Sequence, residues 1–313
     1  MQTSGLAIKA EHLKKSFKNV EVLRDVSFGV EEGAIFALLG ANGSGKTTTI
    51  NILTTLLSAD DGTASVKGFD VARQGRRVRD QISLTGQFAA IDEVLTGREN
   101  LLLISELRHI EDAAQTAQAL LAQFGLVEAA ERRTGTYSAG MRRRLDIAMS
   151  LIGNPPVLFL DEPTTGLDPQ SRNMMWDTIK TLAKGGTTIF LTTQYLEEAD
   201  QLADTVAILS QGRIVAQGTA QDLKRMLPQG KIELIFCDEE QLDTAAKLLE
   251  QDDVIRDVDA RSLTITNDGS VGQVARIFSQ LETAGIEVAE FFQKTATLDD
   301  VFLKIVSQSS EED

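Results

Sequence analysis

Between Ala34 and Leu57 the sequence passes without interruption from a buried-strand pattern, through a glycine-rich turn, into a helical pattern. Ala34–Leu39 is almost continuously apolar, as expected of a strand covered on both faces. Gly40-Ala41-Asn42-Gly43-Ser44-Gly45-Lys46-Thr47 follows at once and fits G-x-x-x-x-G-K-[ST]. Thr47–Leu57, with Thr48 in its first turn, then has the spacing of a helix. Glycines in this turn let successive backbone N–H groups face a single anion, and the helix N-terminus adds a partial positive charge. Lys46 can reach outer phosphates, and the Thr47 hydroxyl can ligate Mg²⁺. This succession predicts an α/β core with a phosphate cradle at a strand end.

A second apolar strand, Val157–Leu160, ends in Asp161-Glu162. A buried strand places Asp161 at its C-terminal rim, where open α/β sheets bind ligands. There it can hold a metal beside Thr47, through water. The neighbouring Glu162 points elsewhere and suits polarisation of an attacking water. Alone, a strand closed by two carboxylates also reads as a solvated strand end. Paired with the phosphate loop, it reads as a nucleoside triphosphatase.

Tyr137-Ser138-Ala139-Gly140-Met141 precedes a helical stretch, Arg142–Leu151, and Ser138 is a good N-cap. By itself this is a capped helix start. With the flanking motifs it resembles the signature sequence of ATP-binding-cassette (ABC) ATPases, usually Leu-Ser-Gly-Gly-Gln. Gln87, in Leu84-Thr85-Gly86-Gln87-Phe88, stands where that family has its Q-loop glutamine, and Gly166-Leu167-Asp168 resembles its D-loop. Phe17 reads alone as a core phenylalanine, but it stands where the family stacks an aromatic ring on adenine. The resemblance covers roughly residues 6–225. It implies that Gln87 joins Thr47 and Asp161 around Mg²⁺. It also implies a head-to-tail homodimer with two sandwiched ATPs, each meeting the phosphate loop of one subunit and Ser138, Ala139 and Gly140 of the other. A second helix N-terminus would complete the γ-phosphate cage only on closure.

Three positions depart from that pattern. Ala139 replaces a glycine, and Met141 replaces a Gln or Glu. Gln194, in Thr192-Thr193-Gln194-Tyr195, replaces the switch histidine; the chain's two histidines, His12 and His109, lie elsewhere. A glutamine amide can donate to a γ-phosphate but does not titrate, although Gln194 also reads as a solvated loop residue. Gln194, the Tyr-Ser-x-Gly-Met signature and the closing Thr297-Leu298-Asp299-Asp300-Val301-Phe302 resemble the daunorubicin-resistance ATP-binding subfamily, whose members energise drug export through a separate transmembrane permease.

Charge divides the chain. Residues 1–227 carry 24 basic and 27 acidic side chains, whereas residues 228–313 carry 7 and 19. A boundary at Pro228-Gln229-Gly230 follows. The expected organisation is an α/β P-loop NTPase core of the ABC ATPase kind over residues 1–227, with a helical subdomain inserted at about 88–151. A C-terminal α+β domain of βαββαβ, ferredoxin-like order over 228–308 and a disordered acidic tail at 309–313 complete it. The acidic excess suits a regulatory or dimer-stabilising module rather than a membrane-surface anchor, which anionic lipid would repel. A net charge of −15 argues against a nucleic-acid partner. The single Cys237 excludes a disulfide framework and a multi-cysteine zinc site. Met1-Gln2-Thr3-Ser4-Gly5 lacks the marks of a signal peptide, and no apolar run approaches the ~18 residues of a membrane span. The expectation is a cytoplasmic ATP- and Mg²⁺-dependent subunit, peripheral at the inner face of the membrane, in an exporter. A nucleic-acid or ribosome-directed cassette and an importer subunit are the competing readings. The helical insert after Gln87 is expected to dock the permease.

Overall fold

The computed structural model describes residues 5–86, 90–226, 231–249, 254–266, 271–294 and 297–309. Gln87 and the end of the acidic tail lie outside the described residues. Two compact units, Met1–Ala220 and Gln221–Asp313, divide the chain. That division falls slightly earlier than the charge step, because the short helix Ala220–Arg225 groups with the second unit.

The first unit is built on a ten-stranded sheet. Its parallel half runs in the order Thr205–Ser210, Ile35–Leu39, Thr188–Thr193, Val157–Asp161, Ile82–Thr85. Every residue of Ile35–Leu39, Val157–Asp161 and Thr188–Thr193 is buried, which explains their unbroken apolar runs. Phe36 stacks on Phe28 and Phe190 with ring centroids 5.1 and 5.3 Å apart, joining adjacent parts of the sheet through one core. The antiparallel half places Leu6–Phe17 between Val20–Glu31 and Asp61–Val66. Leu6–Phe17 and Val20–Glu31 run to 12 residues each, with charged side chains at many of their exposed positions.

The helix after the glycine turn is Lys46–Leu53, shorter than expected. The Thr54 hydroxyl donates back to the Ile50 carbonyl at 2.8 Å, and Thr55 adopts a positive φ of 65°, ending the helix. Between Ile82–Thr85 and Val157–Asp161 lie the helices Gly97–Leu107, Ala113–Gln123 and Ala139–Ser150. The first opens on a capping box: the Thr96 hydroxyl accepts from Glu99 N–H, and Glu99 accepts from Thr96 N–H. The helical insert therefore sits between two parallel strands of the core. No helix of the described residues is long and apolar enough to cross a membrane.

The second unit carries a four-stranded antiparallel sheet in the order Val254–Asp257, Ser262–Thr266, Lys231–Phe236, Val288–Lys294. Helices Glu239–Leu248 and Val271–Thr283 complete a ferredoxin-like βαββαβ order. Along Lys231–Phe236 every second residue is buried, with Ile232, Leu234 and Phe236 in the core. A last helix, Leu298–Ser309, follows the sheet.

Candidate active site

Three parallel strands end side by side, and their register fixes the site. Leu39 pairs with Thr193, and Thr192 pairs with Asp161. Gly40, Glu162 and Gln194 therefore leave the sheet at the same edge, the carboxyl edge where such sheets bind ligands. Gly40 N–H donates to the Thr193 carbonyl at 3.2 Å. Glu162 N–H donates to the Thr192 carbonyl at 3.1 Å.

The turn from Gly40 to Gly45 needs its glycines for two reasons. Gly43 and Gly45 have φ of +81° and +111°, the region that side chains disfavour. A Cβ on Gly45 would also lie 2.5 Å from Leu23 Cδ2. The helix that follows opens without any side-chain cap, so its first N–H groups remain available to an anion. Asn42, Gly43, Gly45, Lys46, Thr47 and Thr48 line a cavity of about 270 Å³ together with Val22 and Glu162. These features suit a polyphosphate.

Lys46 is 5% exposed. Its Nζ donates to the carbonyls of Gly40 at 2.9 Å and Ala41 at 3.1 Å, and lies 3.5 Å from Glu162 Oε1. The other Glu162 oxygen accepts from the Thr165 hydroxyl at 3.1 Å. The Thr47 hydroxyl donates to Asp161 Oδ2 at 3.1 Å, and Thr192 Oγ1 donates to Asp161 Oδ1 at 2.5 Å. A hydroxyl and a buried carboxylate at this spacing form the hard-oxygen donor set that Mg²⁺ takes beside a phosphate. Loop, cation and both carboxylates are thus one constellation.

The other expected residues are arranged differently. Ser138 caps Ala139–Ser150 by accepting from Met141 N–H at 3.2 Å, and both Ser138 and Ala139 are exposed. Asp168 caps Pro169–Lys184, accepting from Ser171 N–H at 2.9 Å and Ser171 Oγ at 2.6 Å. Those bonds hold its carboxyl below the usual aspartate range. A Cβ on Gly140 would lie 2.6 Å from Ser171 Oγ, so the starts of these two helices touch. They line no part of the 270 Å³ cavity. Phe17 ends its strand opposite Val20, 46% exposed, with Lys15 Nζ 5.7 Å from its ring centre; it is not a core residue. Gln194 is half-buried, beside Tyr195, over whose ring Arg172 lies at 5.7 Å.

The sequence reading missed the buried charges beneath this edge. Arg143 reaches the backbone around Asp161, and Asp146 sits one turn away. Burial pushes Asp146 up from the usual range, against the pull of Arg143 and the Ala90 N–H. Two opposite charges three residues apart on the face shared with Gly140 and Ile147 were the available signal. Glu198 is fully buried near Trp176, whose Nε1 donates to Oε1 at 3.4 Å.

The sequence and the fold both match known proteins. The family model "ABC transporter" matches residues 23–165, and "ATP-binding protein DrrA1-3-like, C-terminal domain" matches residues 218–306. Daunorubicin resistance ATP-binding protein DrrA2 of Streptomyces coeruleorubidus is 42% identical, over 98% of this chain and 97% of its own. Doxorubicin resistance ATP-binding protein DrrA of Mycobacterium tuberculosis is 39% identical, over 99% and 97%. Among solved structures, an ATP-binding subunit of an ABC transporter superposes with a TM-score of 0.63 at 29% identity, over 71% of this chain and 93% of that one. A dimeric cassette in a post-hydrolysis state with ADP and Pi shares the fold, with a TM-score of 0.62 at 23% identity over 68% and 98%. The chain belongs to the ABC transporter family and, within it, to the ATP-binding proteins that carry a DrrA-like C-terminal domain.

Proposed function

We propose that this chain binds ATP on the turn Gly40–Thr48 and hydrolyses it with Glu162 as general base, powering drug export through a separate membrane permease. The observation that carries the reading is the shared position of Lys46, Thr47, Asp161 and Glu162 at one sheet edge. Phosphate oxygens on the turn would draw Lys46 Nζ from the Gly40 and Ala41 carbonyls and from Glu162. Glu162, still held by Thr165, would then accept the proton of the attacking water.

Thr47 and Asp161 would hold Mg²⁺, with Gln87 as a further ligand; the ion would offset the charge on the β- and γ-phosphates. Gln194, at the same edge, would donate to the γ-phosphate. Phe17, exposed at its strand end, would stack on adenine. Ser138, Ala139, Gly140 and Asp168 would serve the ATP of a partner copy, a role supported by the exposed starts of their two helices. The names of the relatives support drug export, and association with a permease would place the chain at the inner face of the cell membrane.

Steady-state hydrolysis by Glu162→Gln tests this reading. Turnover is expected to fall about 10²- to 10⁴-fold with ATP affinity retained. Near-parental turnover would remove Glu162 from the mechanism.

A further inference from the structure

Arg143 and Asp146 are 8% and 5% exposed, on the inner face of the helix Ala139–Ser150. Their side chains lie 3.4 Å apart. A buried ion pair contributes little stability relative to apolar packing, because both charges must be desolvated. What distinguishes this pair is where its remaining bonds go.

All three guanidinium nitrogens of Arg143 donate to backbone carbonyls, and none of the acceptors lies on its own helix. Nε reaches Pro163 O at 2.9 Å, Nη2 reaches Asp161 O at 3.0 Å, and Nη1 reaches Gly86 O at 2.6 Å. Asp146 Oδ1 accepts from Ala90 N–H at 3.1 Å. Asp161 and Pro163 stand on either side of Glu162, which itself has φ of +47°. A glutamate in the left-handed region persists only where its surroundings over-determine it. Glu162 N–H is tied to Thr192, and the carbonyls before and after it are tied to Arg143. Only a planar, permanently charged fork can serve acceptors in these separate segments; a lysine offers one point of attachment.

We propose that Arg143, oriented by Asp146, is a positioning residue that fixes the strained backbone of Glu162 and registers it to the helix that Ser138 opens. Gly86 and Ala90 are tied to the same helix by the same pair. The proposal rests on Glu162 acting as the general base. It assigns Arg143 to the catalytic step and not to ATP affinity, since no bond of Arg143 reaches the turn Gly40–Thr48.

The test is steady-state ATP hydrolysis by the full chain, with ATP affinity and thermal melting measured on the same preparations. Arg143→Lys keeps a charge opposite Asp146. Arg143→Met/Asp146→Leu removes both charges and replaces them with apolar side chains of similar volume. Both should lose about 10- to 100-fold in kcat, the scale of a small misplacement of a reacting group, while KM for ATP stays within about threefold. Loss of kcat in a double variant that melts at or above the parental temperature separates positioning from folding, because a purely structural pair would then have been replaced successfully. Parental kcat in either folded variant would overturn the proposal. Should the double variant fail to fold, Arg143→Lys decides alone by the same criterion. Glu162→Gln assayed alongside keeps the two readings apart. If it retains turnover, the base assignment fails; if it collapses while the Arg143 variants do not, only the positioning role fails.

Discussion

Glu198 shows how the site's underside is built. It is fully buried at the start of Leu196–Leu202, four residues beyond Gln194, with Trp176 near one oxygen. Burial pushes its carboxyl up from the usual range, and the Thr193, Thr164 and Trp176 donors recover only part of that cost. A carboxyl whose folded pKa is raised stabilises the fold fully below the unfolded value, about 4.3, and that contribution drains away as pH rises through the raised folded value. Glu198→Gln keeps the shape and removes the charge. Its melting temperature should exceed the parent's by about 2–4 °C at pH 7–8, the shift that roughly 1 kcal/mol gives in a large domain. The difference should shrink as pH approaches 4. Melting curves across that range check it; a variant less stable than the parent at pH 8 would show that the charged carboxylate is a net gain.

Two helix starts meet beside the site. Ala139–Ser150 and Pro169–Lys184 touch where Gly140 faces Ser171, whose hydroxyl also donates to Asp168. Ala139 is exposed, so its methyl group is not packed within the chain. Gly140 has no such freedom. Gly140→Ala would place Cβ 2.6 Å from Ser171 Oγ and displace the Asp168 cap. Turnover should fall about tenfold, and Gly140→Ala/Ser171→Gly should recover part of it, as contacting residues are non-additive. Parental turnover in the single variant would show that this contact has no bearing on hydrolysis.

These elements were unequally legible. Ile35–Leu39 and Val157–Asp161 stood out because burial on both faces forces long apolar runs. Asp61–Val66 did not, since only Ala64 and Val66 are buried and its pairing with Leu6–Phe17 decides its state. Lys46, Thr47, Asp161 and Glu162 were legible because each lies in a short local motif. The carbonyls that Arg143 holds belong to Gly86, Asp161 and Pro163, between 18 and 57 residues away. Backbone acceptors at that separation leave no residue pattern to read.

The whole molecule turns on whether one copy holds a complete site. The turn Gly40–Thr48 and its carboxylates are assembled within the chain, whereas Ser138 and Asp168 are exposed at helix starts that line no part of the same cavity. A complete site therefore requires two copies to close around ATP and hydrolysis to release them. Glu162→Gln should hold the closed form by blocking release. The direct measurement is its mass in solution by light scattering, with Mg²⁺ and either ATP or ADP. About twice 34.0 kDa is expected with ATP and 34.0 kDa with ADP. A mass of 34.0 kDa under saturating ATP would contradict closure of two copies.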